Sequence, residues 1–385
     1  MSTLKNAKKV LYDLKRNGYE GYIVGGAVRD HLLRMPINDI DITTNAKPFQ
    51  VGKMFKTKPT GLKYGTVTVF MQEETFEVTT YRHDGEYIDG RHPDNITYAE
   101  TVEEDVKRRD FTINGMLMTE KEEIIDYVGG KKDLQLRIIR TIGNPYDRFN
   151  EDALRMMRAF YFQSKLGFQI DRDTRDAIAA LKMKLKDIAM ERIMEEFIKM
   201  MKGKYVKRAI QSMITTGVHE VLPGLEKGLL FVRDLDEMPY VDTFFTLAFT
   251  LNGSIPNEWP FSNKHRHRYE TASMLANKHK NDFDPYTLYT YGFELCVLAN
   301  KVNFILGRSK NLKTKIETDF QNLPLQSDLD LKLRATEMIS ITGKKAGAWV
   351  KKLQTEMVIE VLNKRLRNDK DALTDYVMKH HNKET

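Results

Sequence analysis

Up to about residue 141, apolar positions come in short runs that alternate with polar ones or are rich in β-branched residues, each bounded by turn residues. Five such runs, 21–24, 39–43, 65–70, 75–81 and 124–127, predict strands, and helical spacing over 3–16 and 27–34 predicts two helices. Beyond Pro145 the period changes. Apolar residues recur every three or four positions through 151–166, 173–185 and 191–202, so strands are expected to stop there and helices to follow. Turn-rich clusters near 222–224, 252–263, 281–285 and 323–328 punctuate the rest. The expected fold class is α+β, with a small mixed or antiparallel sheet at the N-terminal end followed by an all-α extension.

Composition adds limits. A chain of 385 residues exceeds one ordinary core, so two or more domains are expected. The first ten residues carry lysines without the apolar core of a signal peptide, and no stretch approaches the length of a membrane span. The single cysteine, Cys296, lies in the apolar run 293–298 and reads as a buried thiol in a cytoplasmic protein without membrane contact. The net charge of +7 is uneven: residues 1–141 hold 22 Lys/Arg against 22 Asp/Glu, and the remainder holds 39 against 32. A basic excess outside the N-terminal part suits a surface that meets an acidic polymer, or equally a set of lysine-rich solvated helix faces.

Candidate chemistry concentrates near the N-terminus. In Asn38-Asp39-Ile40-Asp41-Ile42 polar and apolar residues alternate, so on a strand Asp39 and Asp41 share one face while Ile40 and Ile42 enter the core. Two adjacent carboxylates repel unless a cation neutralises them, and Mg²⁺ binds through one or two carboxylates plus substrate phosphates. Upstream, the strand 21–24 runs into Gly25-Gly26 and then a helix that carries Arg29 in its first turn. Glycine lets a ligand approach the backbone, helix N-terminal N–H groups bind phosphate, and an arginine adds a bidentate grip. Strand, Gly-Gly, helix with arginine, then a strand with D-x-D resembles the nucleotidyltransferase core of the DNA polymerase beta superfamily. That superfamily often adds a third carboxylate where Glu77 stands, and the sequence leaves the facing of Glu77 open.

Further elements follow in order: Arg108-Arg109-Asp110-Phe111-Thr112-Ile113-Asn114, then 126–133 with two glycines, then Glu151-Asp152-Ala153-Leu154-Arg155 and Glu191-Arg192-Ile193. With 25–30 and the aspartate pair, these resemble the CCA-adding enzymes, tRNA nucleotidyltransferases of the bacterial and eukaryotic class. The resemblance implies a catalytic head over 1–141, a helical neck with a nucleotide-selecting helix over 142–202, a body over 203–280 and a tRNA-binding tail over 281–385. It implies two Mg²⁺ ions on Asp39 and Asp41, nucleotide contacts from Gly26, Arg29 and Arg109, and CTP and ATP as substrates. Asp152, Arg155 and Arg158, spaced i, i+3, i+6, are expected along one side of a helix. A carboxylate accepts from the amino group of C or A, where U and G present a carbonyl, and an arginine donates to the ring edge. Such a pair therefore selects C and A, each good base contact being worth about 1–3 kcal/mol. Arg108 is expected to pair with the acids of 103–105 or face solvent, and Asp110 and Asn114 to bond structurally.

Two positions depart from the family pattern: Tyr161 stands where a further arginine is common, and Tyr64 where histidine is common. The polar segment 81–94 matches the flexible element that the family needs for A addition, or is an ordinary surface loop. The partner implied is tRNA, held by shape and phosphate contacts in its acceptor and T arms, and residues 182–208 carry nine cations against four acids. A homodimer stays open. The alternatives are a poly(A) polymerase, a partial CC- or A-adding enzyme, and a non-catalytic RNA-binding protein.

Overall fold

The computed structural model describes residues 2–84 and 96–381. Seven strands form one mixed sheet: β1 (Gly21–Val24), β2 (Asp41–Thr44), β3 (Lys56–Gly61), β4 (Thr66–Met71), β5 (Glu74–Thr80), β6 (Met116–Met118) and β7 (Ile124–Asp126). Their order is β3-β4-β5-β2-β1-β6-β7. Strands β2 and β5 run parallel, and the neighbouring pairs β1/β2, β4/β5 and β1/β6 are antiparallel.

The helix α1 (Ser2–Arg16) shows why the sheet has one dry face. Its Ala7, Val10, Leu11 and Leu14 recur at helical spacing and are fully buried. Leu14 lies so close to β1 that a Cβ at Gly21 would come within 2.8 Å of its Cδ1. Burying each such leucine stabilises by about 1.5–3 kcal/mol. Ile23, Ile42, Val67, Val69, Phe76 and Val78 are buried in the strands, so strand period two leaves their polar neighbours for the other face.

Most of the expected strands and helices are present, with several differences. Strand β2 begins at Asp41, so Asp39 precedes the ladder, although Ile40 is buried and the alternation holds. Two strands of this sheet were not expected, nor was the separate antiparallel pair Arg82–Asp84 and Ile96–Tyr98. β3 is a polar edge strand containing Pro59, and β6 is three buried residues too short to show a period. Strands also do not stop at Pro145: Gln169–Ile170 pairs in parallel with Ile138–Ile139. Lastly, the helix expected over 151–166 is two helices, α4 (Pro145–Glu151) and α5 (Leu154–Leu166), after α3 (Val102–Lys107) in chain order and before α6 (Met190–Met201).

The chain forms two compact units, one of residues 1–241 and 256–260 and the other of 242–255 and 261–385. The second is helical, with one core around Leu333, Met338, Val350, Met357 and Leu373 and an aromatic group of Phe245, Phe249, Phe261 and Tyr269. Cys296 is buried there as expected, and burial pushes its thiol up to about 12. Among the described residues, no helix is long and apolar enough to cross a membrane.

Candidate active site

Asp41 opens β2, opposite Val24 on one side and Glu77 on the other. Asp39 and Asp41 line a cleft of about 600 Å³ together with Gly25, Gly26, Arg29, Arg109 and Arg158. The same two aspartates also line a hollow with Glu77. Burial raises the Asp41 carboxyl above its ordinary value, Arg109 opposes the rise, and Asp39 adds to it. Glu77 is raised by burial and then by the charges of Asp41 and Asp39. Two neighbouring carboxylates of like charge suit Mg²⁺, which binds through one or two carboxylates plus substrate phosphates, while among the described residues no three such side chains are gathered to hold a metal ion. Glu77, whose facing the sequence left open, is on the aspartate side.

The Gly-Gly turn is built against this pair. Gly25 caps α2 (Gly26–Leu32) at φ 77° and ψ −137°, a left-handed conformation that favours glycine. A Cβ there would lie 3.7 Å from Asp41 Oδ2 and 3.8 Å from Arg109 Nη1. At Gly26 a Cβ would lie 3.3 Å from Arg29 Nη2. The backbone therefore passes close to both the carboxylate and the cations.

Five arginines of the cleft, Arg29, Arg108, Arg109, Arg155 and Arg158, are each paired with an acid. Arg29 is buried, donates from Nε to Asp30 Oδ1 at 2.8 Å and from Nη1 to Asn114 Oδ1 at 2.6 Å, and lies 5.1 Å from the Phe162 ring centre. Asn114 donates in turn to Asp110 Oδ1 at 3.0 Å, and Asp110 Oδ2 takes Arg158 Nε at 2.8 Å. Arg158 sits 5.3 Å from the same Phe162 ring. Burial works against the Asp110 charge, but Arg158 and Asn114 outweigh it and hold the carboxyl below the usual range. Arg109 Nη2 donates to Asp105 Oδ2 at 3.1 Å, and Arg108 Nε to Asp105 Oδ1 at 2.9 Å. Burial pushes Asp105 up, yet Arg109 and Arg108 more than offset it and leave the carboxyl at about 2. Arg108 thus pairs with the acidic stretch, and Asp110 and Asn114 are hydrogen-bonding links, both as expected. The buried hub role of Asp105, which also accepts from Thr43 Oγ1 at 3.1 Å, was not foreseen. Only its place three and four residues before the arginines hinted at it.

The base-selecting trio needs a correction. Asp152 is not on a helix: at φ −143° it ends α4, and α5 starts beyond it. The reason is the aspartate itself, whose Oδ1 accepts from Leu154 N at 3.0 Å and so competes with the helix ladder. Its Oδ2 accepts from Arg192 Nη2 at 3.1 Å, which ties it to the Glu191-Arg192-Ile193 element on α6. Arg155 and Arg158 do line the cleft, whereas Asp152 is not among its lining residues. Arg155 donates to the carbonyls of Arg148 and Arg108 at 3.1 and 3.0 Å and to Glu151 at 2.7 Å.

The two departures have places as well. Tyr161 lines the cleft and packs on Phe162 with ring centres 4.9 Å apart, and Arg82 lies 5.9 Å from the Tyr64 ring centre. Lys165 and Lys199, which sequence reasoning did not single out, also line the cleft. Of the segment 81–94, residues 85–94 lie outside the described residues.

Comparison with known proteins sets this arrangement in the nucleotidyltransferase class: residues 21–140 match the Poly A polymerase head domain, and residues 243–377 match a tRNA nucleotidyltransferase domain 2. The chain is 36% identical to a CCA-adding enzyme of Bacillus cytotoxicus, covering 98% of both chains, and 35% identical to one of Bacillus subtilis, covering 96% of this chain and 97% of that one. Its structure matches that of the Bacillus stearothermophilus CCA-adding enzyme in complex with CTP at a TM-score of 0.84, with 32% identity over 98% of this chain and 97% of that one. The chain belongs to the family of CCA-adding enzymes, the tRNA nucleotidyltransferases.

Proposed function

We propose that this chain adds C, C and A from CTP and ATP to the 3′ end of tRNA in the cytoplasm, with Asp39 and Asp41 as the catalytic residues that hold two Mg²⁺ ions, joined by Glu77. The observation that carries the reading is the meeting of the two aspartates with the Gly25 turn and Arg109 in one cleft. In the reaction the tRNA 3′-oxygen bonds to the nucleotide α-phosphorus, the bond to the β-phosphate bridge breaks, and pyrophosphate leaves. Bound Mg²⁺ supplies a more acidic 3′-hydroxyl and charge neutralisation on the leaving group.

The chain's own residues position the reactants. Arg29, Arg109 and Arg158 are preset by Asp30, Asp105 and Asp110, so little reorganisation is needed when a triphosphate enters beside them and Gly26. Asp152 and Arg155 read the base edge. An ionised carboxylate offers about four acceptor sites, and Asp152 has given one to Leu154 and one to Arg192, which leaves capacity for the amino group of C or A. On this reading residues 1–141 hold the chemistry and 142–202 the base choice, while 203–280 and 281–385 hold the tRNA. The stearothermophilus relative, solved with CTP, supports CTP as a substrate.

A poly(A) polymerase would share the head, as the name of the matching head model indicates; the full-length relatives favour CCA addition. The test is nucleotide incorporation into tRNA that ends at its discriminator base, with Mg²⁺, by the wild type and by Asp41→Ala. The variant should lose at least about a thousandfold in rate, several kcal/mol of transition-state stabilisation being at stake, with tRNA affinity unchanged. A variant of near wild-type rate removes Asp41 from the chemistry.

A further inference from the structure

One helical turn beyond Tyr161 the cleft wall carries a cation. Tyr161 and Lys165 are four residues apart on α5 and both line the cleft that holds Asp39, Asp41, Arg29 and Arg158. Residues at this spacing lie on one helix face, about 6 Å apart along the axis. Lys165 Nζ donates to Asp30 Oδ2 at 2.9 Å, while Asp30 Oδ1 is taken by Arg29. One carboxylate thus faces two cations, so the Arg29–Asp30–Lys165 group keeps one net positive charge at the cleft wall. The Lys165 side chain is 29% exposed, so it is held in place yet open to a ligand. Tyr161, packed on Phe162, offers no charge there.

We infer that Lys165 grips the nucleotide triphosphate in place of an arginine at position 161, with Asp30 holding its ammonium toward the cleft. This rests on the proposed reading that a triphosphate occupies the cleft. A lysine suits the task as a point charge with rotatable donors, since phosphate oxygens do not demand the planar fork of arginine. The contact is made to substrate and transition state alike, so it acts on KM rather than on kcat.

The experiment uses the full-length protein with tRNA lacking its last three nucleotides. Lys165→Gln keeps an N–H donor for Asp30 and removes the charge, so melting temperature should stay near that of the wild type. KM for CTP and for ATP should each rise about tenfold, the usual size of a lost contact to a charged group, with kcat within about twofold. Inhibition by inorganic tripolyphosphate should weaken by the same factor, and Lys165→Arg should retain the wild-type KM. Adding Tyr161→Arg to Lys165→Gln should restore KM, which a purely structural lysine would not allow. An unchanged KM in Lys165→Gln, or a rise that Tyr161→Arg leaves uncorrected, overturns the inference while the proposed activity stands. A wild type that adds no nucleotide overturns the activity itself and the inference with it.

Discussion

Asp41 and Glu77 stand directly opposite each other across the parallel β2–β5 ladder, and both line the hollow that also takes in Asp39. The register puts Glu77 beside Asp41, which no spacing in the sequence could reveal because strand β5 pairs with β2 from a distant part of the chain, and this neighbourhood is what supports the proposed role of Glu77 as a further metal carboxylate. Replacing it with glutamine should raise the Mg²⁺ concentration for half-maximal incorporation by about tenfold and leave tRNA binding alone. A metal titration of the rate checks this; an unshifted midpoint would remove Glu77 from the metal group.

The same carboxylates set a pH dependence. In the metal-free protein Asp41 and Glu77 are both raised, so the folded chain holds more protons than the unfolded one just above the ordinary carboxylate range. Stability from these groups therefore increases as pH falls through that window, and at neutral pH their charges cost stability. Asp41→Asn should raise the melting temperature of the metal-free protein at pH 7 and abolish the further rise that Mg²⁺ gives the wild type. Thermal melts with and without Mg²⁺ decide it, and a lower metal-free melting temperature would contradict the prediction.

Asp105 has the opposite sign. Its carboxyl is held at about 2, below the ordinary carboxylate value, so its contribution is present above about pH 4 and is lost as pH falls toward 2. Asp105→Asn removes the buried carboxylate that the part-buried Arg108 and Arg109 share and should cost about 3 kcal/mol at pH 7. Urea denaturation at pH 7 and at pH 3 should show the gap between variant and wild type narrowing at the lower pH. A gap independent of pH would mean that ionisation of Asp105 is not what stabilises the fold.

Gly25 carries a conformation that other residues reach with strain. Alanine at φ 77° should cost roughly 1–3 kcal/mol and displace the turn from Asp41 and Arg109. Incorporation should fall by more than about tenfold, since small misplacements at a reacting centre are costly. Gly26→Ala, whose added Cβ first meets the Arg29 side chain, should melt near the wild type and raise KM for the nucleotide. Equal loss of stability in both variants would argue that the turn is only a fold element.

Asp152→Ala should relax base choice. The ratio of kcat/KM for CTP over UTP should drop by roughly tenfold to a hundredfold, the worth of one good base-edge contact. Single-nucleotide incorporation rates give the ratio, and an unchanged value would assign Asp152 to capping Leu154 and holding Arg192 alone.

Much of this was legible along the chain. Strands 21–24 and 124–127, helix α1 and the alternation at 38–42 follow from local period, and that period alone places Asp39 and Asp41 away from the core. What was not legible depends on partners far off in sequence. Asp152 fits a helix by spacing, but its carboxylate bonds to Leu154 and Arg192 break the ladder. Arg29 looked free to meet a phosphate, whereas Asp30 and Asn114 already hold it. β6 is buried on every residue, so it carries no alternation to read.

The most direct test of the account is the length of the product. Purified protein, Mg²⁺ and all four nucleotides are incubated with tRNA that ends at the discriminator base, and the products are sized by mass spectrometry. Two C and one A followed by a stop are expected, whereas a ladder of added A residues, or tRNA left unextended, would contradict CCA addition.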